Sequence, residues 1–458
     1  MSFDASHIDY PGKRSSQPKS GVDIGTLSTV ITALGNFGVL YNFQAVAVSL
    51  LIMSATVCTN NDDECKENHQ ASWVNAAATP TVFIGAVVGQ LYMGYIGDLL
   101  GRNVAMCITL SLVALGSLGC AAFSFGTPET IYAIIIAFRF VLGIGAGGVY
   151  PLSATKAAED AAKNRSGGPP KVNIVAAGKA YFWQAPGAMA PWVVGYLFTY
   201  CDMSTEVKWR LLMGLGFIPS VLLMAVSMYE IRLRSCDKES RIVTDPHHDN
   251  RIGTDSNLSK EFTPHDKQAG LFANQHYRLQ LLVTGSTWCI YDIAYYGVAL
   301  FGGDIVNAMK SSDDDNVSTN ESVRYATAQE LIALAVGIPA AVLSVFLIKW
   351  YGSKAVQVYG FLFQAVCFIL LSVTFYPLQH EYPELLFIIY CLLLFSLNTG
   401  PAITTFVLPA QTFPEEIRST YNGISAASGK AGAAIGAYMV STILLFGYHW
   451  CIIILFVL

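Results

Sequence analysis

The chain has 458 residues, 53% apolar and only 13% charged, against about 25% charged in an average soluble domain. That leaves too little polar surface for a cytosolic fold, and it excludes disordered, coiled-coil and collagen-like chains. The formal net charge of −5 provides no basic footprint, so nucleic acid is excluded as a partner.

Residues 1–24 are a polar tail with no apolar run after a basic start, so the first span itself must direct insertion. Runs long enough to cross a bilayer, ~20 mostly apolar residues each, then follow at 25–57, 76–97, 104–123, 131–153, 175–200 and 211–229. Cys58 and Cys65 bracket the polar loop after the first of them; a disulfide and two free thiols are equally compatible with that spacing. Residues 232–278 form one long hydrophilic stretch, expected to be a flexible cytosolic linker. Further spans are predicted at 279–306, 326–348, 355–376, 385–409 and 423–446, and the last apolar run, Trp450 to Leu458, is too short to cross. The division expected is therefore a tail (1–24), a six-helix half (25–231), a linker (232–278) and a second half (279–458) with an interrupted twelfth helix.

With the N-terminus inside, twenty of the 27 Lys and Arg residues face the cytosol and five lie in outer loops. This positive-inside bias predicts a multi-pass protein with a cytosolic N-terminus, and the plasma membrane is the expected location. Asn316 and Asn320, each in an acceptor pattern for glycosylation, then fall in an external loop. Asp98-Leu99-Leu100-Gly101-Arg102 after the second span is echoed by Lys349-Trp350-Tyr351-Gly352-Ser353-Lys354 after the eighth. Two halves with echoing loops are the pattern of secondary transporters built from parallel repeats.

Within spans the principal ionised groups are Arg139, Asp292 and Lys430. Each is costly in lipid, ~2.5 kcal/mol or more at the centre, and is by default functional. No nucleophile–base pair, metal cluster or phosphate-cradling loop stands out, so neither an enzyme nor a cofactor is expected.

Gly94-Tyr95-Ile96-Gly97-Asp98-Leu99-Leu100-Gly101-Arg102 resembles the conformational signature of the major facilitator superfamily, in which Asp98 and Arg102 would latch helix ends. Gly147-Gly148-Val149-Tyr150-Pro151-Leu152-Ser153-Ala154-Thr155 resembles the stretch that marks its phosphate:proton symporter family. Four more segments resemble that family in order: Phe182 to Gly187, Trp209 to Pro219, Thr287 to Tyr296, and Pro409 to Gly432. The resemblance implies an all-α facilitator fold of two six-helix halves with a phosphate site between them.

The corresponding binding residues would be Tyr150, Gln184, Trp288, Asp292, Tyr296 and Lys430, with Asp292, Arg139, Asp98 and Arg102 in coupling or gating. The chemistry fits: phosphate needs a cation, hydroxyl and amide donors, and an acid for its remaining proton. For Asp292 and Lys430 the other reading is a structural ion pair holding the halves together.

The chain departs from the family's pattern at several acids. Val39 and Asn42 stand at the first span's two aspartates, Val149 at the fourth span's, and Gln411 at the tenth's glutamate, while Ala402 replaces a substrate-contacting amide. Neither Val39 nor Val149 can carry a proton and Asn42 can only hydrogen-bond. Coupling through Asp292 alone, coupling to sodium, and uncoupled transport all remain compatible with the residues. The reading is thus a secondary transporter for inorganic phosphate or a related small anion, coupled to a proton or sodium ion, in the lipid bilayer. The alternatives are a facilitator for an organic anion or a sugar, and a non-transporting nutrient receptor.

Overall fold

The computed structural model describes residues 24–56, 72–163, 181–244, 274–300, 319–379 and 381–443. All of its regular structure is helical; among the described residues there is no strand. The expected twelfth stub, Cys58 and Cys65, Asn316, and most of the predicted linker lie outside the described residues.

In chain order the first helices are α1 (Ile24–Thr56), α2 (Ser72–Leu100), α3 (Arg102–Ala122), α4 (Pro128–Lys163) and α5 (Gln184–Phe198). Next come α6 (Thr205–Leu215) and α7 (Phe217–Thr244), and then α8 (Gln275–Ala299). The remainder are α9 (Thr319–Ala335), α10 (Gly337–Tyr351), α11 (Ser353–Gln379), α12 (Pro383–Asn398), α13 (Pro401–Thr412) and α14 (Glu415–Ile443). Two helices run past the apolar segments that announce them. α4 continues to Lys163 because the sequence after Ser153 is rich in Ala, the best helix former. α7 continues to Thr244, so the first part of the predicted linker is helix.

Three predicted spans are each built from two helices, and proline accounts for the breaks. A proline ring collides with the carbonyl four residues earlier, so a straight helix cannot pass that point. Pro219, third in α7, faces the carbonyl of Leu215, the last residue of α6. Pro339, third in α10, stands in the same relation to Ala335, the last residue of α9. Between α12 and α13 the break is Gly400-Pro401, with Gly400 at φ +89°.

The echoed loops have the same backbone. Gly101 joins α2 to α3 at φ 86°, ψ 145°, and Gly352 joins α10 to α11 at φ 83°, ψ 155°. Both are single-residue turns in a region that a side chain other than glycine's rarely enters.

Eight spans among the described residues are long and apolar enough to cross a membrane. The lipid-facing surface is plain on α11, where Val358, Leu362, Val366, Ile369 and Val373 form one exposed apolar stripe. Gly360, Gln364, Cys367, Leu371 and Phe375 face inward from the same helix. An exposed apolar stripe beside a buried mixed one is the reverse of a soluble helix. The helices α5, α8 and α14, predicted as spans five, seven and eleven, fall outside those eight because they are shorter or more polar. They are the helices that carry Gln184, Asp292 and Lys430.

Candidate functional site

Close backbone approach assembles the centre of the molecule. Gly429, Gly432 and Gly436 lie on one face of α14, and a β-carbon on any of them would run into Trp288, the Cys289 carbonyl or the Ile293 carbonyl of α8. Small residues at this spacing let two helices touch main chain to main chain. The contact brings Lys430 opposite Asp292, one helix turn along α8 from Trp288. A second glycine face, Gly143 and Gly147 on α4 against α2, positions Tyr150 two turns from Gly143.

Lys430 Nζ donates to Asp292 Oδ2 at 2.8 Å and to Tyr296 Oη at 3.0 Å. Its ammonium lies 4.4 Å from the Tyr296 ring centre and 5.5 Å from that of Tyr150. Phe43 on α1 and Phe83 on α2 complete the cage at 5.7 and 5.9 Å. Cation–π attraction of this kind contributes ~0.5–2 kcal/mol per ring, more as water is excluded. Trp288 lies beside Asp292, and Tyr150 beside Tyr296. Lys430 is 3% and Asp292 2% exposed, so solvent reaches neither unless the surrounding helices part.

Five of the six predicted binding residues therefore meet: Tyr150 from the first half, and Trp288, Asp292, Tyr296 and Lys430 from the second. Gln184 stands at the start of α5, where its Nε2 donates to Asn36 Oδ1 of α1 at 2.8 Å. Asp292 and Lys430 both belong to the second half, so their ion pair does not itself tie the halves together. That tie is made by the aromatic rings of α1, α2 and α4 around Lys430, because an ammonium buried between helices needs electron-rich faces wherever carboxylates are absent. Phe43, Phe83 and Tyr295 went unnoticed in the sequence, where an aromatic residue in a span reads as packing. Tyr295 packs edge-on against Tyr296 at 5.1 Å. Glu330, fully buried in α9, also went unnoticed among the ionised groups within spans.

Arg139 is separate from this centre. Its Nε donates to the Ala78 carbonyl at 3.0 Å and its Nη1 to the Asn42 carbonyl at 3.3 Å, linking α4 to α2 and α1. Among the described residues its Nη2 has no hydrogen-bond partner. The Asn42 amide is committed elsewhere, donating to the Gly38 carbonyl at 2.9 Å and the Gly216 carbonyl at 3.2 Å, at the α6–α7 break. An ionised aspartate there would present acceptors to acceptors, so asparagine suits this position structurally. Val39 and Val149 are buried in the apolar core. The side chains of Asp98 and Arg102 lie outside the described residues, and so does the predicted latch between them.

Arg139→Met tests what that cation does. The substitution removes a buried charge that meets no carboxylate here and gives up two bonds to carbonyls. A buried charge without an opposite partner destabilises more than such bonds recover. Purified Arg139→Met is expected to melt no lower than the unaltered protein; a fall beyond about 3 °C, ~3 kcal/mol at this size, shows that the two bonds dominate.

A buried ion pair caged by aromatic rings where α1, α2, α4, α8 and α14 converge is a polar centre inside a bundle of apolar helices. The relatives of this chain give the class, a polytopic transporter. The family profile described as sugar (and other) transporter matches residues 28–458. This chain belongs to that family. It is 34% identical over 443 residues to the inorganic phosphate transporter PT2 of Toxoplasma gondii, covering 95% of this chain and 71% of that protein. It is 32% identical to the low affinity inorganic phosphate transporter 1 of Petunia hybrida, covering 89% and 81% respectively. Among solved structures, the xylose transporter XylE from E. coli in a partially occluded inward-open conformation superposes with a TM-score of 0.68 at 17% identity, covering 94% of this chain and 95% of that one. The major facilitator proton:xylose symporter XylE bound to 6-bromo-6-deoxy-D-glucose superposes at 0.66 with 16% identity, covering 94% of each chain. The fold is that of the major facilitator superfamily.

Proposed function

We propose that this protein carries inorganic phosphate, or a close anionic relative, across a membrane by alternating access about Lys430 and Asp292. The observation that carries this reading is a lysine ammonium buried where aromatic rings of both predicted halves converge, held by a carboxylate that an incoming anion can replace. Curated relatives that match most of the chain and are phosphate transporters by name support it. Tyr150, Tyr296, Trp288 and Gln184 supply the neutral donors for phosphate oxygens.

Asp292 is the coupling acid in this reading. While ionised it occupies Lys430. Once protonated it releases the ammonium to the anion and can itself donate to a phosphate oxygen. Proton and phosphate thus enter together, and the returning carrier reforms the ion pair. The halves 25–231 and 279–458 would rock about this centre, with Arg139, Asp98 and Arg102 acting at the moving contacts. The distribution of Lys and Arg supports a cytosolic N-terminus, and uptake across the plasma membrane is the direction proposed.

Uptake of labelled phosphate into proteoliposomes, with proton and sodium gradients imposed separately, tests the reading. Phosphate is expected to accumulate under an inward proton gradient and not under a sodium gradient. Folded protein that moves no phosphate under either gradient, or at equilibrium exchange, overturns it.

A further inference from the structure

Two fully buried acids, Glu230 of α7 and Glu330 of α9, have no part in this scheme, and Glu330 is the one that stands near the central site. Glu330 sits on α9, a helix that packs against α1 and α5 of the first half as well as α10 and α12 of the second. It is fully buried, and Tyr390 Oη of α12 donates to its Oε2 at 3.5 Å. Thr327, one turn earlier on the same face, meets Gly195 of α5 where Val48 of α1 also packs. Gln44 stands one turn before Val48 on α1, and Glu330 one turn after Thr327 on α9. Gln44 is buried and donates to the Ala299 carbonyl at 3.4 Å, while its Oε1 has no hydrogen-bond partner among the described residues.

Tyr295 of α8 lies within electrostatic range of Glu330, Asp292 and Lys430, and its ring abuts Tyr296, the hydroxyl that accepts from Lys430. Tyr390 and Cys391 of α12 also face Glu330. On the remaining neighbours the candidates are engaged or distant. Tyr41 of α1 donates to the Leu212 carbonyl, Tyr196 of α5 bonds Tyr200, and Lys349 and Tyr351 lie at the far end of α10. On α9 itself Arg324 pairs with Glu321 at 3.6 Å, toward the helix start.

We propose that Glu330, on the helix α9 that packs against α1 and α5, is a second proton-carrying residue of the transport cycle, in a chain that lacks acids in its first and fourth spans. An ionised carboxylate is costly inside a closed helical seam and tolerated once water enters. Opening of the seam on one side lets Glu330 take up a proton from that solution, and the neutral acid then crosses the closed state. Release follows through the Tyr295 side toward the central site when that opens to the opposite solution. One proton enters from one compartment and one leaves to the other.

This inference rests on the proton-driven phosphate reading, and the test separates the two. Unaltered protein, Glu330→Gln and Tyr390→Phe are reconstituted and compared in two assays with labelled phosphate. Counterflow at equal pH needs no net proton movement; accumulation under an imposed pH gradient does, and a pH-sensitive dye counts protons per phosphate. Glu330→Gln is expected to keep counterflow within about threefold, to lose gradient-driven accumulation at least tenfold, and to carry fewer protons per phosphate. Tyr390→Phe keeps the acid and is expected to accumulate phosphate. If Glu330→Gln accumulates phosphate with unchanged proton count, the proposal is overturned and the phosphate reading stands. Loss of counterflow in Glu330→Gln as well marks a packing role and overturns it equally. If the unaltered protein moves no phosphate in either assay, the underlying reading fails and this proposal fails with it.

Discussion

Lys430→Ala is expected to abolish phosphate uptake at sub-saturating substrate. A charge-assisted hydrogen bond contributes ~1.5–3 kcal/mol, or about tenfold to a hundredfold in apparent affinity, and loss of the countercharge in a desolvated site adds to this. The single substitution also strands Asp292, and breaking a buried pair destabilises by ~3–5 kcal/mol. A damaged fold and a damaged site would then look alike in uptake alone. The double variant Lys430→Met with Asp292→Asn separates them, because it removes both charges and leaves neither stranded. It is expected to recover most of the melting temperature lost in Lys430→Ala and to remain inactive. Thermal melting and uptake measured on the same preparations check this. A double variant that transports phosphate removes Lys430 and Asp292 from the binding role and leaves them a structural pair within the second half.

Gly432→Leu is the second large effect. Glycine at this position lets α14 lie directly on the Cys289 carbonyl of α8, and any β-carbon there collides with backbone. Overpacking in a dense core destabilises by ~1–3 kcal/mol even where side chains can yield, and backbone yields less. The two helices must separate, and the 2.8 Å contact between Lys430 and Asp292 lengthens with them. The expected outcome is a lower melting temperature together with loss of uptake. Gly352→Ala, by contrast, has open space around its β-carbon and meets only the unfavourable φ of +83°. It is expected to cost about 1 kcal/mol and to spare the site. A Gly432→Leu variant that melts and transports like the unaltered protein would show that this seam does not position the lysine.

Much of the architecture was legible before any coordinates. The apolar runs from α1 to α14 follow from length and hydropathy, because a bilayer demands ~20 apolar residues per crossing whatever packs beside them. Helix ends were less legible. The polar extensions of α4 and α7 follow helix propensity rather than hydropathy, and the breaks at Leu215 and Ala335 follow from prolines that a hydropathy window averages away. Of the helices that carry predicted binding residues, α5 falls short of a span by its length, and α8 and α14 by their polar residues. Their polar residues are solvated by one another instead of by lipid.

The central pair was legible for the same reason. A lysine and an aspartate in separate apolar helices need each other, and the motif resemblance brought Tyr150, Trp288 and Tyr296 into the same set. Phe43, Phe83 and Tyr295 were not legible, since ring packing against an ammonium depends on how α1 and α2 lie across α8 and α14. Glu330 was present in the sequence as a lone acid in an apolar span, and only its burial against Tyr390 of α12 sets it apart from a residue near a loop.

By itself, then, the sequence determined that this chain lives in a membrane, where its helices cross it, and which charges must be sheltered. Those properties depend on residues one at a time and on their spacing along a single helix. Only the tertiary structure decided that Lys430 meets Asp292 and Tyr296 within one half while the rings of the other half enclose it, and that Arg139 serves main-chain carbonyls outside that centre. Such hydrogen-bonded pairings join residues from 61 to 138 positions apart, and they are set by where glycine faces allow backbones to touch.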